Sequence, residues 1–232
     1  MIRFFKKIAT WLVRFLFPAK IYGKENLPEG GAMIVSNHFS MLDPLYLISI
    51  CKKEEIFFLS KKEATDVKVF GKWLVKAGAI PVDREKPSME CLMKCIKTLK
   101  EDKKLVLYPE GTRNKTGSNE LQEIKNGAAI FAVKAKKPLV PVMMDKKMRL
   151  FRRVNVYIGK PFELDSFYGV KLDDEKNTEM NEIVRDKMRL TAIEGPLTYK
   201  KLKEEKRLEL LEKKDEILNS DKLLPEGKEA IV

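Results

Sequence analysis

Short apolar runs rich in β-formers alternate with helical patterns along most of this chain, and that alternation narrows its fold more than any other feature. Ala32–Ser36, Ile56–Leu59, Ala79–Val82, Leu105–Tyr108, Leu139–Met143 and Val154–Ile158 read as strands. Pro44–Lys52, Val67–Lys76, Ser88–Lys100, Gly127–Lys136 and Asn177–Thr191 read as helices. Strands interleaved with helices specify an α/β domain, here a mixed, largely parallel sheet covered by helices. Unbroken apolar strands such as Leu105–Tyr108 predict burial on both faces. At 232 residues the chain is long enough for one such domain with its own core, with or without a tail.

The pattern changes after about residue 172. Gly195-Pro196 predicts a helix break. Residues 199–218 are dense in both charges, and Leu202, Leu208, Leu211 and Leu218 leave only a thin apolar stripe. A solvated helix or partly disordered tail is the plain reading, and a partner-binding helix the sharper one. The organisation expected is therefore 1–19, an amphipathic helix; 20–195, the α/β domain; and 196–232, a charged tail.

The net charge of +12 is uneven. Residues 1–24 hold six basic side chains and no acidic one, whereas residues 173–232 are acidic overall. On a helical wheel Arg3, Lys6, Lys7, Thr10 and Arg14 share one side of the first segment. Phe4, Phe5, Ile8, Trp11, Leu12, Phe15 and Leu16 share the other. Four charges spoil it as a spanning helix, and it lacks the uninterrupted apolar core and cleavage site of a signal peptide. A basic amphipathic helix with Phe and Trp suits the plane of a membrane surface. Packing on its own domain is the plainer alternative. The expectation is a peripheral protein on the cytoplasmic face of a membrane.

His38 is the one histidine, so a multi-histidine metal site is excluded, and no metal is expected. Cys51, Cys91 and Cys95 are too few for a disulfide scaffold or a four-thiolate zinc site, and read as reduced thiols. A base titrating near neutral pH without a perturbed pKa has to be His38.

His38 lies in Ala32–Ile48, AMIVSNHFSMLDPLYLI: an apolar strand, a polar turn, and a helix opening at Asp43-Pro44. Pro suits the first helical position, and Asp before it is a good cap. His38 and Asp43 then flank one tight turn, where a carboxylate holding one ring nitrogen leaves the other facing a substrate. Asp43 as a simple cap and His38 as a turn residue are the alternatives. Ser40 raises a Ser–His–Asp hydrolase, but the strand–GxSxG–helix elbow is missing.

Downstream, Pro109, Glu110, Gly111, Thr112 and Arg113 follow a strand directly. Ligands of α/β sheets gather at such carboxyl ends. Gly111 permits close backbone approach, Thr112 offers a hydroxyl and Arg113 a planar fork suited to phosphate. Lys61 and Arg84 add positive charge. A turn with a surface Glu–Arg pair is the alternative.

Together NHFSMLD, an N-H-x4-D motif, and GAIPVDR, YPEGTR and PLVPV resemble, in order and spacing, the 1-acylglycerol-3-phosphate acyltransferase family over about residues 20–160. The resemblance implies acyl transfer to the 2-hydroxyl of a lysophosphatidic acid-like acceptor. His38 would be the general base and Asp43 its partner. Glu110, Gly111, Thr112 and Arg113 would form the phosphate-binding block, with Arg84 ending the second block and Lys61 near the acyl-transfer centre. Asn114 departs from the serine common after the arginine. No cofactor is implied; the acyl donor, a coenzyme A or acyl carrier protein thioester, is a substrate. The partners implied are that carrier, a lysophospholipid and a membrane surface, and not nucleic acid, for which no recognised motif is present. A different lyso-lipid or glycerol 3-phosphate as acceptor, a Ser40-dependent lipid hydrolase, and a non-enzymatic membrane binder are the rival readings.

Overall fold

The computed structural model describes residues 11–12, 15–50, 55–83, 88–116, 120–124, 127–200 and 204–219. Among the described residues, seven strands form one sheet: β1 (Ala19–Tyr22), β2 (Ala32–Ser36), β3 (Ile56–Lys61), β4 (Ala79–Val82), β5 (Lys104–Leu107), β6 (Leu139–Met144) and β7 (Val154–Ile158). Their spatial order is β1-β7-β6-β2-β5-β3-β4. Five of the neighbouring pairs are parallel, and only β6–β7 is antiparallel. The mixed, largely parallel sheet expected from the sequence is therefore what forms. β1 is an addition: four residues at a sheet edge carry too little pattern to stand out.

Orientation matters here more than order. β2, β3, β4, β5 and β6 run one way, and β1 and β7 run the other. The amino ends of β1 and β7 consequently reach the same sheet edge as the carboxyl ends of β2 and β6.

The helices are α1 (Asp43–Ile50), α2 (Lys62–Thr65), α3 (Phe70–Ala77), α4 (Met89–Lys100), α5 (Ala128–Ala135), α6 (Asp174–Tyr199) and α7 (Glu204–Leu218). Successive strand residues serve opposite layers, as the pleat requires. Met33 and Val35 of β2 pack with Cys95 and Leu99 of α4, Phe131 of α5 and Met180 and Val184 of α6. Ala32 and Ile34 pack on the other side with Tyr46 and Leu47 of α1 and Phe58 of β3. β2 and β6 are buried along both faces, which explains their unbroken apolar runs.

Two expectations require correction. The helix expected at Val67–Lys76 begins only at Phe70, after a separate turn of helix at Lys62–Thr65. The break expected at Gly195-Pro196 does not form: α6 continues to Tyr199 with Pro196 inside it. Proline removes one donor, its own N–H to the carbonyl four residues back, so the loss is confined to one bond of the preceding turn, and Pro196 O still accepts the Lys200 N–H. Gly195 brings the helix backbone onto Tyr157, where a Cβ would lie 2.4 Å from the ring.

The charged segment beyond α6 is a helix that docks. Ile217 of α7 is buried with Leu190 and Ile193 of α6, and Lys214 pairs with Glu194 at 2.8 Å. Leu208, Leu211 and Leu218 stay exposed. The first ten residues of the amphipathic helix, with Val13 and Arg14, lie outside the described residues; Trp11, Leu12, Phe15 and Leu16 are helical. Among the described residues no helix is long and apolar enough to cross a membrane.

Candidate active site

Strand β2 ends at Ser36, and the chain turns across the carboxyl edge of the sheet before α1 begins. Asn37 fixes the start of this turn. Its Nδ2 donates to Met144 O and its Oδ1 accepts from Met144 N, both at 2.9 Å. This two-way clamp ties the end of β2 to the end of β6 and gives both the nitrogen and the oxygen of the buried amide a partner.

His38 follows, 12% exposed, with Nδ1 2.8 Å from Asp43 Oδ2; Asp43 is wholly buried. The same carboxylate oxygen accepts the backbone N–H groups of Phe39 and Ser40 at 2.7 Å each. Asp43 therefore aims back into the turn, not forward along α1 as a plain cap would. With two backbone amides already donating to Oδ2, the hydrogen-bond network assigns the tautomer in which Nδ1–H donates to the carboxylate and Nε2 is the free acceptor. Ser40 Oγ accepts from Leu42 N at 3.2 Å, which makes it part of the turn's scaffold.

Three groups hold the histidine backbone and ring. His38 N donates to Glu110 Oε1 at 3.1 Å, and His38 O accepts from Asn114 N at 2.7 Å. The Tyr108 ring stacks on the imidazole with centroids 4.1 Å apart and planes 18° apart. Tyr108 is half-buried with its hydroxyl turned into the interior, and desolvation there, with the nearby Asp43 charge, pushes the hydroxyl pKa well up. Asp43 Oδ1 and Tyr108 Oη accept or donate no bond among the described residues.

The block after β5 divides into a buried half and an exposed half. Glu110 is 2% exposed. Its second oxygen accepts Gln122 N at 3.1 Å, so the carboxylate braces two loops with both oxygens and does not face outward as a substrate contact. Burial pushes its pKa up, against the two amides that pull it down. Gly111 holds φ +68°, a left-handed conformation that glycine adopts freely. Thr112 Oγ1 donates to Gln122 Oε1 at 3.1 Å. Arg113 is exposed, one residue from the Asn114–His38 bond, and makes no ion pair among the described residues.

Lys61 ends β3, which β5 separates from β2. Two strand spacings place its backbone about 10 Å from the His38 strand, and its Nζ lies 4.0 Å from Glu63 Oε1. Arg84 lies outside the described residues. Cys91 and Cys95 are buried in the core, where desolvation pushes the Cys95 thiol up to about 12. Among the described residues no group of three or more His, Cys, Asp and Glu is placed to hold a metal ion.

Sequence reasoning thus found the pair that the structure brings together, His38 and Asp43. It missed Asn37, Tyr108 and the bracing task of Glu110. Asn37 directly before the histidine was a usable signal, since a polar residue closing a buried strand has to bond to something.

A family model described as "Acyltransferase" matches residues 18–145. The chain is 33% identical over 165 residues to a "1-acyl-sn-glycerol-3-phosphate acyltransferase" of Streptococcus pneumoniae, covering 68% of this chain and 60% of that protein. It is 34% identical over 154 residues to a Bacillus subtilis protein of the same name, covering 64% and 75%. The match to the Streptococcus protein therefore spans less than two thirds of that relative's length. Among solved structures, the 1-acyl-sn-glycerophosphate (LPA) acyltransferase PlsC from Thermotoga maritima superposes with a TM-score of 0.58 at 22% identity, covering 87% of this chain and 80% of that one. That likeness concerns the fold.

Proposed function

The chain belongs to the acyltransferase family, and from that premise we propose that it moves a fatty acyl group from an acyl thioester to the 2-hydroxyl of lysophosphatidic acid, giving phosphatidic acid. The observation that carries the reading is the His38–Asp43 pair at the open edge of the sheet, with Nδ1 committed to the carboxylate. The names of the relatives supply the acceptor.

In this reading His38 Nε2 takes the acceptor's hydroxyl proton as its oxygen attacks the thioester carbonyl carbon. Asp43 stabilises the imidazolium. The tetrahedral intermediate expels the carrier thiolate, which takes the proton back from Nε2, so the enzyme ends unchanged. Arg113, assisted by Thr112 and Arg84, holds the acceptor phosphate and so positions the hydroxyl. Lys61 serves the acyl side of the site. The donor is a coenzyme A or acyl carrier protein thioester. The N-terminal helix holds the enzyme on the cytoplasmic face of a membrane, where a lyso-lipid acceptor resides.

Purified protein supplied with lysophosphatidic acid and either donor should form phosphatidic acid. His38→Ala should lower kcat on the order of 10²–10⁴-fold. A fully active His38→Ala protein would overturn the base assignment, and activity confined to other lyso-lipids would overturn the acceptor. Arg113→Ala should raise the acceptor KM and leave the donor KM unchanged.

A further inference from the structure

The loop between β6 and β7 carries a patch that the catalytic reading does not use. Residues 146–153 read KKMRLFRR: five basic residues and no acidic one. Lys146, Lys147, Arg149, Arg152 and Arg153 are all exposed, and none forms an ion pair among the described residues. Between them Leu150 is 55% and Phe151 62% exposed. Met148 is buried and anchors the loop on the core. Arg152 N donates to Arg149 O, closing a tight turn that holds the two apolar side chains at its tip.

This tip is joined to the N-terminal helix. Phe151 N donates to Leu16 O at 2.6 Å. The Phe151 ring meets Phe15 edge-on with centroids 6.2 Å apart, and Phe15 stacks on Trp11 at 5.7 Å. Trp11 is 65% and Phe15 60% exposed. Phe151 holds φ +55°, which is costly for a bulky side chain and keeps its ring beside Phe15 at the surface. The result is one continuous exposed apolar patch, built from two distant stretches of chain and flanked by unpaired basic residues.

We propose that the β6–β7 loop is a second membrane-docking element, inserting Leu150 and Phe151 into the interfacial layer of an anionic bilayer beside Trp11, Leu12 and Phe15. The proposal deepens the membrane-surface reading given above. Charge complementarity selects the occupant: unpaired Arg and Lys around exposed Leu and aromatic rings match anionic headgroups over acyl chains. A nucleic acid would satisfy the charge but leave the apolar tip in water.

The sheet explains what such docking does. β6 runs to Met144, which clamps Asn37 next to His38, and the loop leaves directly from that end. β1 and β7 run opposite to β2 and β6, so the helix before β1 and the loop before β7 emerge at the edge where His38 lies. Two docking points on that edge fix the orientation of the site against the headgroups. A single helix in the membrane plane fixes the direction of its own apolar face; a second docking point off that axis also limits tilting of the domain.

The experiment uses the full chain and vesicles of phosphatidylcholine with or without phosphatidylglycerol. Leu150→Ser/Phe151→Ser, both at exposed positions, should lower sedimentation with anionic vesicles at least tenfold, with an unchanged far-UV spectrum. Arg149→Glu/Arg152→Glu should do the same and abolish the preference for anionic over neutral vesicles. A Phe151→Trp probe in a Trp11→Phe/Trp73→Phe background should shift blue on vesicle addition and be quenched by brominated acyl chains. Wild-type-like partitioning of both double variants, or a probe that stays in water, overturns the proposal, as does loop-dependent binding to duplex DNA without vesicle binding. Loss of binding only on deletion of residues 1–17 assigns docking to the helix alone and also overturns it. Turnover of a monomeric short-chain acceptor tests the chemistry separately: vesicle binding without acyl transfer sinks the proposed reaction and leaves the docking surface standing.

Discussion

The Tyr108 ring lies almost flat on the imidazole of His38, with centroids 4.1 Å and planes 18° apart. Asp43 holds the ring by its edge and Tyr108 holds it by its face, so the imidazole has little freedom to swing or tilt. A base fixed in this way keeps Nε2 on one line of approach, which is what positioning contributes to a two-substrate reaction.

The Tyr108 hydroxyl takes no part in that support. It is buried without a partner among the described residues, and such a group costs about 1–3 kcal/mol in desolvation. Tyr108→Phe should therefore keep kcat and raise the thermal midpoint. Tyr108→Ala should lower both. A large fall in kcat for Tyr108→Phe would show that the hydroxyl, and not the ring, matters.

Asp43→Asn tests the tautomer. An amide at this site either presents its oxygen to Nδ1 or its NH2, and in the second case the proton moves to Nε2. Its NH2 would also face the Phe39 and Ser40 amides, which now donate to Oδ2. We expect a loss in kcat on the order of 10²–10⁴-fold with little change in either KM. Unaltered turnover would remove Asp43 from the mechanism.

Glu110 gives a pH signature. Burial raises its pKa above the ordinary 4.5, so the folded state holds this proton more tightly than the unfolded state. Stability from this group is then fullest at low pH and falls as pH rises from 4.5 towards the raised value. Glu110→Gln turns an NH2 toward one of the two amides that the carboxylate serves, which should cost about 1–3 kcal/mol. Denaturant titrations should show the gap between wild type and variant narrowing as pH rises through that window; a widening gap contradicts the assignment.

Gly195→Ala should destabilise by about 1–3 kcal/mol through overpacking. The added methyl meets the Tyr157 ring at 2.4 Å. That ring cannot move aside freely, since Tyr22 stacks on it at 5.4 Å and also on Tyr199 at 5.0 Å. Thermal denaturation decides; an unchanged midpoint means that α6 shifts without cost.

The core thiols offer a chemical check. Cys95 is fully buried with its thiol pushed up to about 12, and Cys91 is also raised by burial. Iodoacetamide at pH 8 should leave both unlabelled in the native protein and label both in denaturant. Labelled peptides spanning 89–97 from native protein would contradict the packing of α4.

Much of this molecule was determined by the sequence alone, because its signals were local. Six strands could be read because burial on both faces demands unbroken apolar runs. The His38–Asp43 pair could be read because both residues sit in one turn, five positions apart, between a strand and a helix. Other features were decided only by contacts between residues far apart in sequence. β1 is defined by its pairing with β7, not by its four residues. Glu110 carries a charge that suggests a ligand, yet the amides of His38 and Gln122, at 72 and 12 positions' distance, turn it into a brace. Gly195-Pro196 signals a break, yet packing on Tyr157 holds the helix through it. The reversal of β1 and β7 is invisible in any one strand, because a strand's own pattern is the same in either direction. That reversal brings residues 11–12, 15–16 and 146–153 to the edge where His38 lies.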